Sequence, residues 1–233
     1  MPDLVVGVVG ATGRLGSAVR AECARQGVQV GLAASRTEWR ATGRVSVLVD
    51  ASAPDALPAT VKYCEQVGAA LIYCVSRVTD ESRRQLAELG DRTTVILADN
   101  LSVGHWLQVN LVRTVANLVR SFRQQPQMAV RERHPVTKKD SPSASARALA
   151  DVWAATCPPE LRGATTSQRG GPPVSDHEVT FDLPGMSLSI KHSVTDLHMA
   201  VIGLLDLVRH VRQLSPGLYP VFDVYSRMYR HGT

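Results

Sequence analysis

Between Leu4 and about Leu97, short apolar runs alternate with stretches whose apolar positions recur every three or four residues. Leu4–Val9, Val28–Ala34, Val45–Val49, Leu71–Cys74 and Val95–Leu97 read as strands, and amphipathic helices are predicted between them. Strands that alternate with helices build a parallel sheet covered on both faces. A longer helix is expected from about His105 to Arg123, where Leu107, Leu111, Val115 and Leu118 recur at helical spacing.

The pattern changes after that helix. From Met128 the chain reads as a strand ending at His134, then a polar loop through Ser141, then a helix that opens near Ser143 and runs through Ala150 and Trp153. The Gly/Pro-rich segment Arg169-Gly170-Gly171-Pro172-Pro173 precedes two alternating strands, His177–Asp182 and Ser187–Ser193. A last amphipathic helix, about Leu197 to Val211, and a tail through Pro216-Gly217-Leu218-Tyr219 are expected to pack back on the first domain. The predicted division is therefore residues 1–104 plus about 197–233 as an α/β domain, with 105–196 as an inserted α+β module. No internal repeat or low-complexity segment interrupts it.

Composition narrows the function classes. A chain of 233 residues with 44% hydrophobic side chains can bury one large core or two small ones. No apolar run approaches the roughly 20 residues of a membrane helix, and no leader precedes the first strand, so a cytoplasmic protein is expected. The net charge of +5 raises nucleic acid as a partner, but the arginines are scattered, aromatics are 5%, and no nucleic-acid motif is present. The excess suits a polyanionic cofactor and an acidic substrate, or an ordinary solvated surface. Cys23, Cys64, Cys74 and Cys157 lack CxxC spacing, so they read as buried thiols and indicate neither a metal site nor a disulfide framework.

One segment carries a ligand. Gly7-Val8-Val9-Gly10-Ala11-Thr12-Gly13-Arg14-Leu15-Gly16 follows a strand and opens a helix, the setting in which such glycines make a pyrophosphate site of the Rossmann type. Gly10 and Gly13 allow a sharp turn and a close approach to phosphates, and the helix amino terminus offers N–H groups and partial positive charge. At the end of the second strand an NAD enzyme usually places Asp or Glu, whereas this chain reads Ala34-Ser35-Arg36. Arg36 can pair with a 2′-phosphate, which favours NADPH while leaving NADH possible; the plainer alternative is a solvated surface arginine. The cofactor contacts expected here are Gly7, Gly10, Ala11, Thr12, Gly13, Arg14, Leu15, Ser35 and Arg36.

Three further segments, in order, resemble the 4-hydroxy-tetrahydrodipicolinate (dihydrodipicolinate) reductase family over nearly the whole chain. They are Ala98-Asp99-Asn100-Leu101-Ser102-Val103-Gly104, the run from Glu132 through Ser145, and Arg169-Gly170-Gly171 with Asp176-His177. The family's signature of a His, a Lys four residues on and an Asp-x-Pro-Ser turn stands here as His134, Lys138, Asp140, Pro142 and Ser143. The resemblance implies an oxidoreductase that reduces a C=C or C=N bond with a nicotinamide cofactor, in amino-acid and specifically lysine biosynthesis. It further implies His134 and Lys138 as proton donors and substrate ligands, Ser143, Ala144 and Ser145 as carboxylate binders, Cys74, Ser76 and Asn100 as cofactor contacts, and a substrate-binding second domain that joins a homotetramer. Such a reaction needs an acid, because hydride delivered to one atom leaves negative charge on the other.

The departures from the family pattern bear on the substrate. Where two adjacent histidines are usual, the chain has His134-Pro135; where Gly-Thr-Thr-Gly is usual, it has Cys74-Val75-Ser76-Arg77. The Pro-Ser-Gly-Thr turn has become Pro142-Ser143-Ala144-Ser145, and an arginine expected before the last helix is Leu197. Arg77 is accordingly a candidate substrate ligand. Together these changes imply a diverged paralogue that reduces another small imine or enamine acid. The lysine-pathway reductase itself and a non-catalytic NADP(H)-binding regulator stay open beside it.

Overall fold

The computed structural model describes residues 4–76, 78–171 and 175–230. They form two compact units: one made of 1–101 and 197–233, the other of 102–196.

The first unit is an α/β Rossmann-type layer structure. Strands β1 (Val5–Val9), β2 (Gln29–Ala34), β3 (Trp39–Ala41), β4 (Val47–Asp50), β5 (Ala70–Tyr73), β6 (Thr94–Leu97) and β11 (Gly217–Pro220) form one sheet in the order β11-β6-β5-β4-β1-β2-β3. All neighbours are parallel except β2 and β3. Every residue of β1, β4, β5 and β6 is buried, which is why they read as unbroken apolar runs. Helices α1 (Arg14–Arg25), α2 (Leu57–Val67) and α3 (Asp80–Gly90) connect them, and Leu32, Leu48, Leu71, Leu86 and Leu89 meet in the core. The tail adds more than packing. After α6 (Leu197–His210) it supplies β11, which pairs with β6, and then α7 (Val221–Arg230), whose buried Tyr225 hydroxyl donates to the Leu101 carbonyl at 2.9 Å.

The second unit is α+β. Helix α4 (Val103–Val119) and helix α5 (Ala144–Ala154) accompany a sheet of β7 (Gln127–His134), β8 (Arg162–Arg169), β9 (Ser175–Leu183) and β10 (Met186–Val194), in the order β10-β9-β7-β8. β7 and β8 run parallel, and β9 is antiparallel to both β7 and β10. Trp153 packs fully buried against Phe181, ring centroids 5.4 Å apart, and its indole donates to the Leu161 carbonyl at 3.1 Å. The leucines that mark α4 in the sequence are not its buried face. Leu107, Leu111 and Leu118 are exposed, whereas His105, Gln108, Val109, Val112, Ala116 and Val119 point inward.

Of the cysteines, Cys23, Cys64 and Cys157 are buried free thiols and Cys74 is half-buried. Among the described residues no helix is long and apolar enough to cross a membrane.

Candidate functional site

Two groups of residues, one in each unit, carry the candidate chemistry. In the first unit they gather at the carboxyl ends of β1, β2, β4 and β5, the edge where parallel sheets bind ligands. Gly10 holds φ +75°, and a Cβ there would lie 2.6 Å from the Ala51 carbonyl oxygen, so only glycine turns the chain at this point. The turn closes through Gly13 N–H to the Gly10 carbonyl at 2.9 Å, and α1 starts at Arg14 with neither a side-chain cap nor an acid in its first turn. The amino terminus of α1 thus keeps its positive end uncompensated by side chains. By contrast α3, α4 and α5 are capped by Thr79, Ser102 and Ser143.

Two hollows flank this turn. One, of about 730 Å³, is lined by Gly10, Thr12, Gly13, Ser35, Arg36 and Trp39 among others. The other, of about 660 Å³, is bordered by Arg14, Leu15, Cys74, Val75, Ser76 and Leu197, with Ser52 and Ala53 on its far side. Arg36 is exposed on the rim of the first, 37% of Trp39 is open to solvent, and Asp55 also lines that hollow. Gly7 and Ala11 lie deeper: a Cβ on Gly7 would meet Leu48 at 2.6 Å, and the Ala11 N–H is committed to the Ala34 carbonyl at 2.9 Å. Asn100 follows β6 and lines neither hollow. Burial pushes the Cys74 thiol far up, so it stays protonated. Arg77 lies outside the described residues.

The wall of both hollows rests on Asp50, which sequence reasoning missed. It is buried at the end of β4, where its carboxylate accepts the Ser52 N–H at 3.0 Å, the Ser52 hydroxyl and the Thr60 hydroxyl at 2.7 Å. Burial raises its pKa, and those three hydrogen bonds oppose the rise.

In the second unit, His134 closes β7 and is buried beside His177 of β9, the two Nε2 atoms 3.2 Å apart. Both abut the fully buried carboxylate of Glu132, whose Oε2 lies 3.3 Å from His134 Nε2 and 3.7 Å from His177 Nε2. Glu132 is held from two elements: at the start of α5 the Ser143 N–H donates to it at 3.0 and 3.1 Å, and from β8 the Ser167 hydroxyl does so at 2.6 Å and Arg169 at 3.0 Å. Burial alone would push its carboxyl up, but these donors outweigh it and bring the pKa down to about 2. Burial depresses the imidazoles: His177 to about 3, with His105 and His134 adding repulsion, and His105 to about 4, with His192 adding more. His134 is also lowered, first by burial, with Glu132 pulling it up and Lys138 and Arg169 pulling it down.

Lys138 sits in the loop after β7 with its ammonium 3.0 Å from Asp140 Oδ1 and does not contact His134 directly. Arg169 holds that loop from below, donating to the Lys138 carbonyl at 3.2 Å, to the Asp140 carbonyl and to Glu132. Ser143, Ala144 and Ser145 open α5 as expected, but Ser143 is buried and already engaged. Its N–H goes to Glu132, its Oγ accepts from Ala146 N–H at 3.1 Å, and it touches His177 Nε2 at 3.2 Å. Ala144 is exposed and Ser145 half-buried, so a ligand approaching this helix end meets those two. Glu132, His177 and Arg169 stand in segments that resemble the family, yet they were not among the expected site residues. Their signal was parity. Met128, Val130, Glu132 and His134 alternate onto one face of β7, and His177, Val179 and Phe181 onto one face of β9.

Comparison with known proteins accords with this arrangement. The family model for the dihydrodipicolinate reductase N-terminus matches residues 4–101, and that for its C-terminus matches residues 104–225. The 4-hydroxy-tetrahydrodipicolinate reductase of Thermosipho africanus is 26% identical over 96% of this chain and 98% of its own. The enzyme of the same name from Myxococcus xanthus is 29% identical over 93% of this chain and 87% of its own. Among solved structures, a dipicolinate-bound dihydrodipicolinate reductase from Paenisporosarcina sp. TG-14 superposes with a TM-score of 0.74 over 95% of this chain and 99% of that one, at 16% identity, a likeness of fold.

Proposed function

This chain belongs to the dihydrodipicolinate reductase family of NAD(P)H-dependent oxidoreductases, and from that premise we propose that it reduces a small imine or enamine carboxylic acid with NADPH as a diverged member of the family. Divergence is carried by one observation: the departing positions Cys74, Val75, Ser76 and Leu197 share a single hollow with Arg14 and Leu15, beside the glycine turn. A wall with Cys74 in place of glycine, Val75 in place of threonine and Leu197 in place of arginine is narrower and less cationic, and it selects against a ring bearing two carboxylates.

Bound NADPH would supply the hydride. The turn from Gly10 to Arg14 and the amino terminus of α1 would hold its pyrophosphate, Arg36 would pair with the 2′-phosphate, and Trp39 would offer a face to adenine. His134 gives the proton to the atom that hydride leaves negative. Because burial keeps its imidazole neutral, an arriving substrate carboxylate raises its basicity and draws the proton in. Lys138, with its loop fixed by Arg169, meets that carboxylate. The second unit's sheet joins subunits into a tetramer, and the enzyme works in the cytoplasm.

The relatives' shared name favours a second reading, in which the substrate is the lysine-pathway intermediate itself. NADPH oxidation with enzymatically generated 4-hydroxy-tetrahydrodipicolinate decides between them: fast turnover selects the lysine enzyme, while turnover only on other cyclic imine acids selects the paralogue. Tight NADPH binding with no turnover on any imine acid would overturn both and favour a regulator.

A further inference from the structure

Glu132, His134 and His177 turn three potential ligand atoms toward one point. His134 Nε2, His177 Nε2 and Glu132 Oε2 are separated by 3.2, 3.3 and 3.7 Å, and all three residues are buried. One shared N–H can bridge a single edge of that triangle. His177 Nε2 also has Ser143 Oγ at 3.2 Å, and its Nδ1 is buried without a hydrogen-bond partner among the described residues. Ligands about 2.0–2.1 Å from a tetrahedral ion lie roughly 3.3–3.4 Å from one another, close to the edges seen here. The supporting contacts are in place as well: Glu132 Oε1 is fixed by Ser167 and Arg169, and the His177 ring is wedged beside His105 and His192 at 5.7 and 6.4 Å between centroids.

We propose that Glu132, His134 and His177 form a preformed site for a divalent transition-metal ion of the zinc type, bound through one carboxylate oxygen and two Nε2 atoms, with the fourth position left to Ser143 Oγ or water. The ion is not a cofactor of the reduction. It takes the His134 lone pair on the nitrogen that the reading above gives to proton donation, so metal binding and catalysis exclude each other and the metal inhibits. That inhibitory half rests on the proposed function; the site itself does not. Arg169 already neutralises the carboxylate, so the affinity is micromolar rather than that of a structural zinc site.

Cobalt titration of the protein without cofactor or substrate tests the site. The expected result is one equivalent of Co²⁺ giving the intense visible ligand-field bands of a tetrahedral centre, bleached by Zn²⁺. His177→Ala and Glu132→Gln lose them, and Lys138→Ala keeps them. Should the first two variants not fold, judged by Trp153 fluorescence, His134→Ala takes their place. Absence of stoichiometric uptake by the wild-type chain, or bands unchanged in a folded His177→Ala or His134→Ala protein, overturns the site. Zinc inhibition of NADPH oxidation, reversed by a chelator, is the second arm. Cobalt uptake without inhibition overturns the inhibitory half and the role of His134 in the reduction, while leaving the site standing.

Discussion

The two units bury different things. Inward positions of the first sheet are mostly hydrocarbon, with Val6, Val8, Leu48, Ile72 and Ile96 at 0% exposure, and its ligand edge is built from backbone turns and surface side chains around one buried acid, Asp50. The second unit buries hydrocarbon at one end, around Leu149, Trp153 and Phe181, and polar groups at the other: Glu132, His134, Ser143 and His177. β7 passes from one kind of interior to the other, running inward from Met128 and Val130 to Glu132 and His134. A hydrocarbon core tolerates repacking, because its contacts are non-directional. A buried ionic network does not, since removing one member leaves the others unsatisfied. The hydrocarbon interior of the first unit can therefore drift in sequence away from Gly10 and Asp50, while the polar end of the second unit is constrained by its own fold.

The sharpest way to break this contrast is to replace His134, the proposed proton donor. His134→Ala should lower kcat by roughly 10²–10⁴-fold, the usual worth of a general acid, with NADPH binding unchanged by fluorescence titration. An unaltered kcat would show that the polar end is architecture alone. Next in size is Glu132→Ala, which strands the Arg169 guanidinium and the Ser143 N–H. It should cost about 3–5 kcal/mol of stability in denaturant titrations followed by tryptophan emission. If Leu48→Ala in the first unit, expected at about 2–5 kcal/mol, proves far more damaging than Glu132→Ala, the contrast is reversed.

Acid should separate the two units. His105 and His177 have folded pKa values of about 4 and about 3, below the ordinary 6.5, so below pH 6.5 the unfolded chain takes up protons that the fold refuses. Stability is complete above that value and falls as pH drops toward the folded values, by at most about 3 kcal/mol per pH unit for the pair. Tryptophan emission should accordingly shift at a lower denaturant concentration at pH 5 than at pH 7; an identical midpoint refutes the burial of neutral imidazoles. The smallest expected effect lies on the cofactor side. Arg36→Ala should raise the NADPH Michaelis constant about 10- to 150-fold, corresponding to about 1.5–3 kcal/mol for a charged hydrogen bond, and leave that for NADH in place. Equal changes for both nucleotides would remove Arg36 from 2′-phosphate recognition.

Much of the first unit was legible because strands buried on both faces cannot hide: β1, β4, β5 and β6 are buried throughout and apolar but for Asp50 and Thr94 at their ends. β3 and β8 were not, since one is a three-residue exposed edge and the other, Arg162–Arg169, is a polar edge strand held by pairing with β7. α4 showed its helical period but misled on its inward face, because the residues it buries include His105 and Gln108, the latter donating to the His177 and Ile190 carbonyls at 2.9 Å each. A hydrophobic pattern has no means of marking a polar side chain that is buried for its hydrogen bonds. The same blindness hid Glu132, legible only as an acid in phase with Met128 and Val130.

The pairing of β11 with β6 bears on how the chain is made. Thr94 meets Leu214 across a sequence separation of 120 residues, and the whole second unit lies between them. At translation speeds of about 5–20 residues per second, the outer edge of β6 waits roughly 6–24 s on the ribosome for its neighbour. An unpaired strand edge is a template for association with other chains. During that interval the second unit can complete its own sheet, whose strands all come from 127–194. The nascent protein thus acquires its histidine cluster before its nucleotide-binding sheet is closed.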